Sequence, residues 1–136
     1  MTPVEFTVPG QPIGKARPRA TSVNGRARMY TPKTTADYEK VVAKEGKSHF
    51  PEPMAGAVRL RVVAFFAMPP SWSKKKRAAL DGQHHTQKPD ADNVLKVIKD
   101  GLNEIAWVDD CQVSDARVVK RWSKYGETFV QIGDAE

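Results

Sequence analysis

Asp90 and Asp92 stand one residue apart in the stretch KPDADNVLKVIKDGLNEIAWVDD, residues 88–110, and a second acidic pair, Asp109 and Asp110, closes it. Lys88, Lys96 and Lys99 are interleaved with these carboxylates. The whole chain carries a formal net charge of +6, so acid concentrated in one stretch needs a reason. Mg²⁺ takes oxygen ligands, commonly a few carboxylates with water and phosphate completing the octahedron. Two aspartates at a loop-to-helix junction can converge with a third from a distant turn. Such a site polarises a phosphoryl oxygen and activates water. Lys96 would stabilise charge that develops in the transition state, or orient the attacking water. The chemistry expected is therefore hydrolysis of a nucleic-acid phosphodiester.

Taken singly, each residue has a plainer reading. Asp90 or Asp92 can be an ordinary N-cap, with Lys96 its neighbour one turn on. Asp109 and Asp110 can be a surface turn. Read together, the plain account needs several coincidences.

Other chemistries are disfavoured. Cys111 is the only cysteine, so no internal disulfide forms, and one Cys with three His gives no zinc-ligand spacing. Cys111 is expected to be a small, partly buried strand residue, and His84 and His85 ordinary loop histidines. The run from Val58 to Pro70 is interrupted by Arg59 and Arg61 and is too short to span a bilayer. The N-terminus lacks the basic-then-apolar layout of a signal peptide. The expectation is a cytoplasmic protein with no membrane partner. At 136 residues, the chain is read as a single domain, 1–136.

The elements that must position the acidic stretch can be read in turn. Residues 4–8 alternate and predict a strand ended by Pro9-Gly10. Lys15, Arg17 and Arg19 fall at every second position and would share one side of an extended segment, suited to a phosphate backbone. Asn24-Gly25 predicts a tight hairpin turn. Thr31-Pro32 reads as an N-cap and first helical residue, with a helix from about Pro32 to Ser48 whose apolar face is Tyr38, Val41 and Val42. Residues 57–68 are the clearest strand; one face is apolar throughout, and the other turns apolar at Val63 and Phe65, which predicts cover on both sides there.

Ser73 would cap a short helix ended by Gly82, and its first turn holds Lys74, Lys75 and Lys76, a solvated run or a DNA-backbone contact. From Asp92 the pattern is helical again: Val94, Val97, Ile98, Leu102 and Ile105 form an apolar stripe, opposite Asp92, Lys96, Lys99 and Asn103. Trp107 reads as a buried anchor for the Asp109-Asp110 turn. Residues 112–122 and 127–132 predict an antiparallel hairpin.

FTVPGQPIGKARPR, TPKTTADYEK, KPDADNVLKVIKDGL and WVDDCQVSDARVVK together resemble the RusA family of Holliday junction resolvases, the small crossover junction endodeoxyribonucleases common in phages and prophages. The resemblance implies an α+β fold: a small mixed sheet, mainly antiparallel, packed with two or three helices. It implies that Asp90, Asp92 and Asp110 bind Mg²⁺, with Mn²⁺ as a possible substitute, and that Lys96 is needed for cleavage. Asp100 on the same helix and Asp109 beside Asp110 would support these ligands. It further implies a homodimer that binds four-way DNA and makes paired nicks in recombination and repair. Alternative functions are a nuclease for flaps or forks, and a branched-DNA-binding protein without activity.

Overall fold

Strict alternation makes residues 58–67 the centre of the molecule. The computed structural model describes residues 2–16, 19–30 and 32–136, with the side chains of Arg19, Thr21, Val23 and residues 28–30 left out. Arg17 and Thr31, assigned above to DNA contact and a helix cap, lie outside the described residues.

The strands are β1 (Val4–Pro9), β2 (Arg19–Val23), β3 (Arg26–Tyr30), β4 (Val58–Ala67), β5 (Val113–Ser123) and β6 (Glu127–Asp134). The helices are α1 (Lys33–Lys47), α2 (Lys74–Leu80) and α3 (Ala91–Leu102), and a single 3₁₀ turn covers Asp110–Gln112. This is an α+β fold. The four-stranded sheet has the order β1-β6-β4-β5, and β2 and β3 form a separate hairpin. The hairpin turns at Asn24-Gly25, where both residues have positive φ (52° and 74°), as the sequence predicts.

Two expectations are corrected here. β5 and β6 do not pair as a hairpin. β4 lies between them, parallel to β5 and antiparallel to β6, so the sheet is mixed but mostly antiparallel. A parallel pair needs a long crossover, and the segment from Met68 to Gln112, which includes α2 and α3, supplies it. Secondly, among the described residues β4 is covered on one side only. Val58, Leu60, Val62, Ala64 and Phe66 are buried, whereas Val63 and Phe65 are only half-buried because the helices pack on the opposite face.

The core joins that buried face to Tyr38 and Val42 of α1 and to Val94, Val97, Ile98 and Leu102 of α3. Full burial of each such aliphatic side chain contributes on the order of 1.5–3 kcal/mol. Val41, expected on the apolar face of α1, is instead exposed, and Gly46 is turned inward. A Cβ on Gly46 would run into Leu102, and one on Gly101 would come within 2.8 Å of Val42. These glycines let α1 and α3 approach closely, which fixes α3 and its acidic N-terminus against the sheet. Helix α3 ends at Leu102, so Ile105 reaches the core from the following turn and not from the helix. Among the described residues, no helix is long and apolar enough to cross a membrane.

Candidate active site

Helix α3 starts directly after Asp90, which occupies the N-cap with extended backbone (φ −66°, ψ 149°). The Asp90 carbonyl accepts from the Asn93 and Val94 amides, both at 3.1 Å. Its carboxylate caps nothing. The plain N-cap reading therefore explains the backbone of Asp90 but leaves its side chain without a structural task. Asp92 lies in the first turn and is exposed. Negative charge is favoured there by the helix dipole. Lys96 is exposed one turn further on. Among the described residues, no ion pair engages Asp90, Asp92, Lys96 or Asp110.

The second acidic pair is divided by local structure. Asp109 caps the 3₁₀ turn by accepting from the Cys111 amide at 3.0 Å. That backbone bond, with further bonds from Cys111 and Asp110, holds the Asp109 carboxyl below the usual carboxylate range. The Cys111 thiol is pushed up by its hydrogen bond to Asp109. Cys111 is exposed in this turn, not partly buried in a strand as expected.

Gln112 completes the capping box. Its Oε1 accepts from the amides of Val108 (2.9 Å) and Asp109 (3.0 Å). Its Nε2 donates to the carbonyls of Met54 (2.9 Å) and Gly56 (3.0 Å). One side chain thus ties the turn to the segment leading into β4, a function with no signal in the sequence beyond an acid followed three residues later by Gln. Trp107, fully buried, anchors the other side of the turn.

Asp110 is left to line a depression with Asp92. The two carboxylates line one depression together with Leu95, Lys96 and Lys99. Asp90 lines the neighbouring depression, with Lys15, Lys88 and Asn93. The structure therefore brings together Asp92, Lys96 and Asp110, and sets Asp90 at their flank. Among the described residues, no group of three or more His, Cys, Asp or Glu side chains converges closely enough to hold a metal ion. The donors of the Asp92–Asp110 depression are all oxygen, which suits a hard divalent cation with water and phosphate completing its shell.

Several other expected residues have different tasks. The Lys15 ammonium contacts Glu39 Oε1 at 2.8 Å and Asp100 Oδ2 at 3.1 Å. Burial works to lower its pKa, and the bonds to Glu39 and Asp100 outweigh that and raise it. The Lys15 amide also donates to the Asn93 carbonyl at 2.9 Å. Lys15 is therefore a clamp between α1 and α3 and not the free phosphate contact expected. Asp100, expected to support the ligands, is eight residues past Asp92, roughly 12 Å along the axis, with its carboxylate taken by Lys15. Of Arg19 only the strand backbone is described. Lys74, Lys75 and Lys76 are exposed on α2, where Ser73 accepts from the Lys76 amide at 3.1 Å. Lys76 also lies over the Trp72 ring, 4.3 Å from its centroid.

Lys120 escaped the sequence reading. Its ammonium donates to the carbonyls of Gln87 (2.6 Å) and Pro89 (2.5 Å), and so holds the loop that presents Asp90. The available signal was a lysine alternating in phase with Val118 and Trp122, on the inward face of β5. Beside it His85 is buried, not an open loop residue, and stacks on Phe66 with centroids 3.9 Å apart. Burial, and then the Lys120 charge, lower its pKa.

Residues 9–133 match the family described as Endodeoxyribonuclease RusA. This chain belongs to the RusA endodeoxyribonuclease family. The match contains every residue of the two acidic pairs and Lys96. The chain is also similar to the uncharacterized protein YqaN of Bacillus subtilis (strain 168), with 37% identity over 134 residues, 95% of this chain and 94% of that protein. Membership in the RusA family makes a nuclease the class of activity to which the geometry must answer.

Proposed function

We propose that this protein is a Mg²⁺-dependent endodeoxyribonuclease that resolves four-way DNA junctions by paired, symmetric nicks. It works as a single endonuclease domain and a homodimer, in the cytoplasm, on intermediates of recombination and repair. The observation that supports this reading is the depression lined by Asp92, Lys96 and Asp110, in which, among the described residues, neither carboxylate is paired with a cation of the fold. The neighbouring acids Asp109 and Asp100 are used by it.

Asp92 and Asp110 would hold the metal, with Asp90 joining them from the flank. The metal would supply Lewis-acid stabilisation of phosphoryl charge and activation of water. Lys96 places a cation where charge accumulates on the non-bridging oxygens as water attacks in line with the departing sugar oxygen. The rigid backing of α3 keeps these groups at fixed separation, so little reorganisation is needed at the moment of reaction. A junction offers two equivalent strands, which a twofold dimer matches with two equivalent sites.

The test compares a synthetic four-way junction with a linear duplex of the same sequence, with and without Mg²⁺. Symmetric nicks in the junction alone, only with metal, are expected. Equal cutting of the linear duplex would remove the junction claim, and cutting of flaps or forks in preference would reassign the substrate.

A further inference from the structure

Strand β5 has the acids of the site on one side and a cluster of arginines on the other. Its inner side borders α3, whose Asp92 and Lys96 line a depression with Asp110, just before β5 begins. Its outer side carries Arg117 and Arg121, and the register sets Arg117 beside Arg61 and Asp115 beside Arg59 of β4. Four guanidinium groups there meet one carboxylate. Asp115 takes Arg59 at 3.3 Å and Arg61 at 2.9 Å, so one negative charge serves two cations. Arg121 donates to the Gly82 carbonyl at 2.9 Å, a neutral acceptor. Arg117 is exposed and, among the described residues, has no carboxylate partner. Like charges side by side on neighbouring strands, as Arg61 and Arg117 are, weaken a sheet.

The acids of this face lie on its other half. Glu5 is on β1 and accepts from Gln131 of β6 at 3.0 Å. Glu127 is on β6, two strand spacings from Arg121, roughly 10 Å. Positive charge is therefore concentrated on β4 and β5, at the edge nearest the site. There Arg61, Arg117 and Arg121 line a depression of about 250 Å³ together with Val63 and Val119.

We infer that Arg61, Arg117 and Arg121 form a second DNA-binding surface, which holds the sugar-phosphate backbone of a junction arm other than the one being cut. The inference rests on the junction reading above and adds a contact to it. Guanidinium forks match phosphate oxygens two at a time. The apolar floor between them suits the sugars that link phosphates. Arg117 and Arg121 are four residues apart, roughly 13 Å along the strand, and so reach more than one phosphate. β5 is the outer strand of the sheet. Among the described residues its edge is open from Val113 to Val119, and residues 82–85 pair with it from Lys120 on. A linear duplex laid in the cleft continues straight past that edge. Branched DNA can send an arm round it onto the arginines. The surface thus favours branched over linear DNA without reading bases.

Arg117 is the residue to vary, because it is exposed and free of ion pairs. The full chain is titrated with a labelled four-way junction and with a linear duplex of the same sequence, without Mg²⁺ so that neither is cut. Circular dichroism verifies folding, and sedimentation follows the free protein. Arg117→Glu is expected to weaken junction binding roughly tenfold or more, and duplex binding far less. Arg117→Gln should lower the slope of log affinity against log salt by about one for the junction. Arg117→Lys, which keeps the charge without the fork, should keep that slope. If wild type prefers the junction and every variant binds it as tightly, the inference fails while the junction reading stands. Equal losses on junction and duplex would place the arginines on the arm in the cleft and overturn the second surface. Altered sedimentation with unaltered junction affinity would give the surface to a protein partner and overturn it as well. A wild type with no preference for the junction overturns both readings.

Discussion

The Lys120 ammonium lies 2.5 Å from the Pro89 carbonyl oxygen, one residue before Asp90. It joins the inner face of β5 to the loop that carries the first acid of the site. The same ammonium holds Gln87 at 2.6 Å, so the loop is gripped at two points. Charge-assisted bonds of this kind contribute about 1.5–3 kcal/mol each.

Lys120→Met should therefore loosen the approach to α3 without unfolding the sheet. A fall in melting temperature of several degrees is expected, together with slower junction cleavage at saturating substrate. Lys120→Arg, which keeps donors at this point, should recover part of the rate. Thermal melting and single-turnover cleavage measured side by side check this. Native turnover in Lys120→Met would mean the loop is held by other contacts.

Asp92→Asn and Asp110→Asn should each lower cleavage by about a hundredfold or more while leaving junction binding intact. Asp109→Ala should behave differently. It removes a cap worth about 1 kcal/mol, so it should melt earlier and keep much of its activity. Gel-shift and cleavage assays on the three variants separate the two acids of the pair. A dead Asp109→Ala beside an active Asp110→Asn would exchange their roles.

Lys15→Met should destabilise the protein by about 1–3 kcal/mol, because it leaves Glu39 and Asp100 without their cation between α1 and α3. It should leave unchanged the slope of log affinity for DNA against log salt. Removal of a true phosphate contact would reduce that slope by about one. Denaturant unfolding and a salt titration of junction binding read the two effects independently.

His85 gives the fold a defined acid sensitivity. Its folded-state pKa is depressed from the ordinary value of 6.5, first by burial and then by Lys120. As pH falls the unfolded chain takes up this proton before the folded one does. The stability contribution is therefore complete above about pH 6.5 and is lost as pH falls through the lower folded value. His85→Phe, which preserves the stack on Phe66, should flatten this part of the stability profile between pH 7 and 5. An unaltered profile would show that other groups set the acid limb.

Much of the site was legible because its signals are local. The stripe of Val94, Val97, Ile98 and Leu102 follows helical period, and all four are buried on α3. That stripe turns Asp92 and Lys96 outward, so their exposure was readable from spacing alone. Asn24-Gly25 specifies its turn through backbone sterics, and Ser73 caps α2 for reasons contained within four residues. The acids and Lys96 came from residue type, period and motif, and the α+β class from the resemblance to the RusA family.

What the chain by itself could not determine were choices between partners distant in sequence. Strand propensity marks β5 and β6 but says nothing of β4 entering between them, since that pairing is decided by which faces can share one core. Lys15 looked like a DNA contact because charge is visible in sequence, whereas Glu39 and Asp100, which neutralise it, meet only when α1 and α3 pack. Asp109 and Asp110 are chemically identical, and the tertiary fold separates them. Gln112 reaches back to Met54 and Gly56 and orients the turn, so Asp109 caps it and Asp110 lines a depression with Asp92. Local sterics and periodicity thus supplied the groups of the site, and long-range packing decided which of them remain free to act.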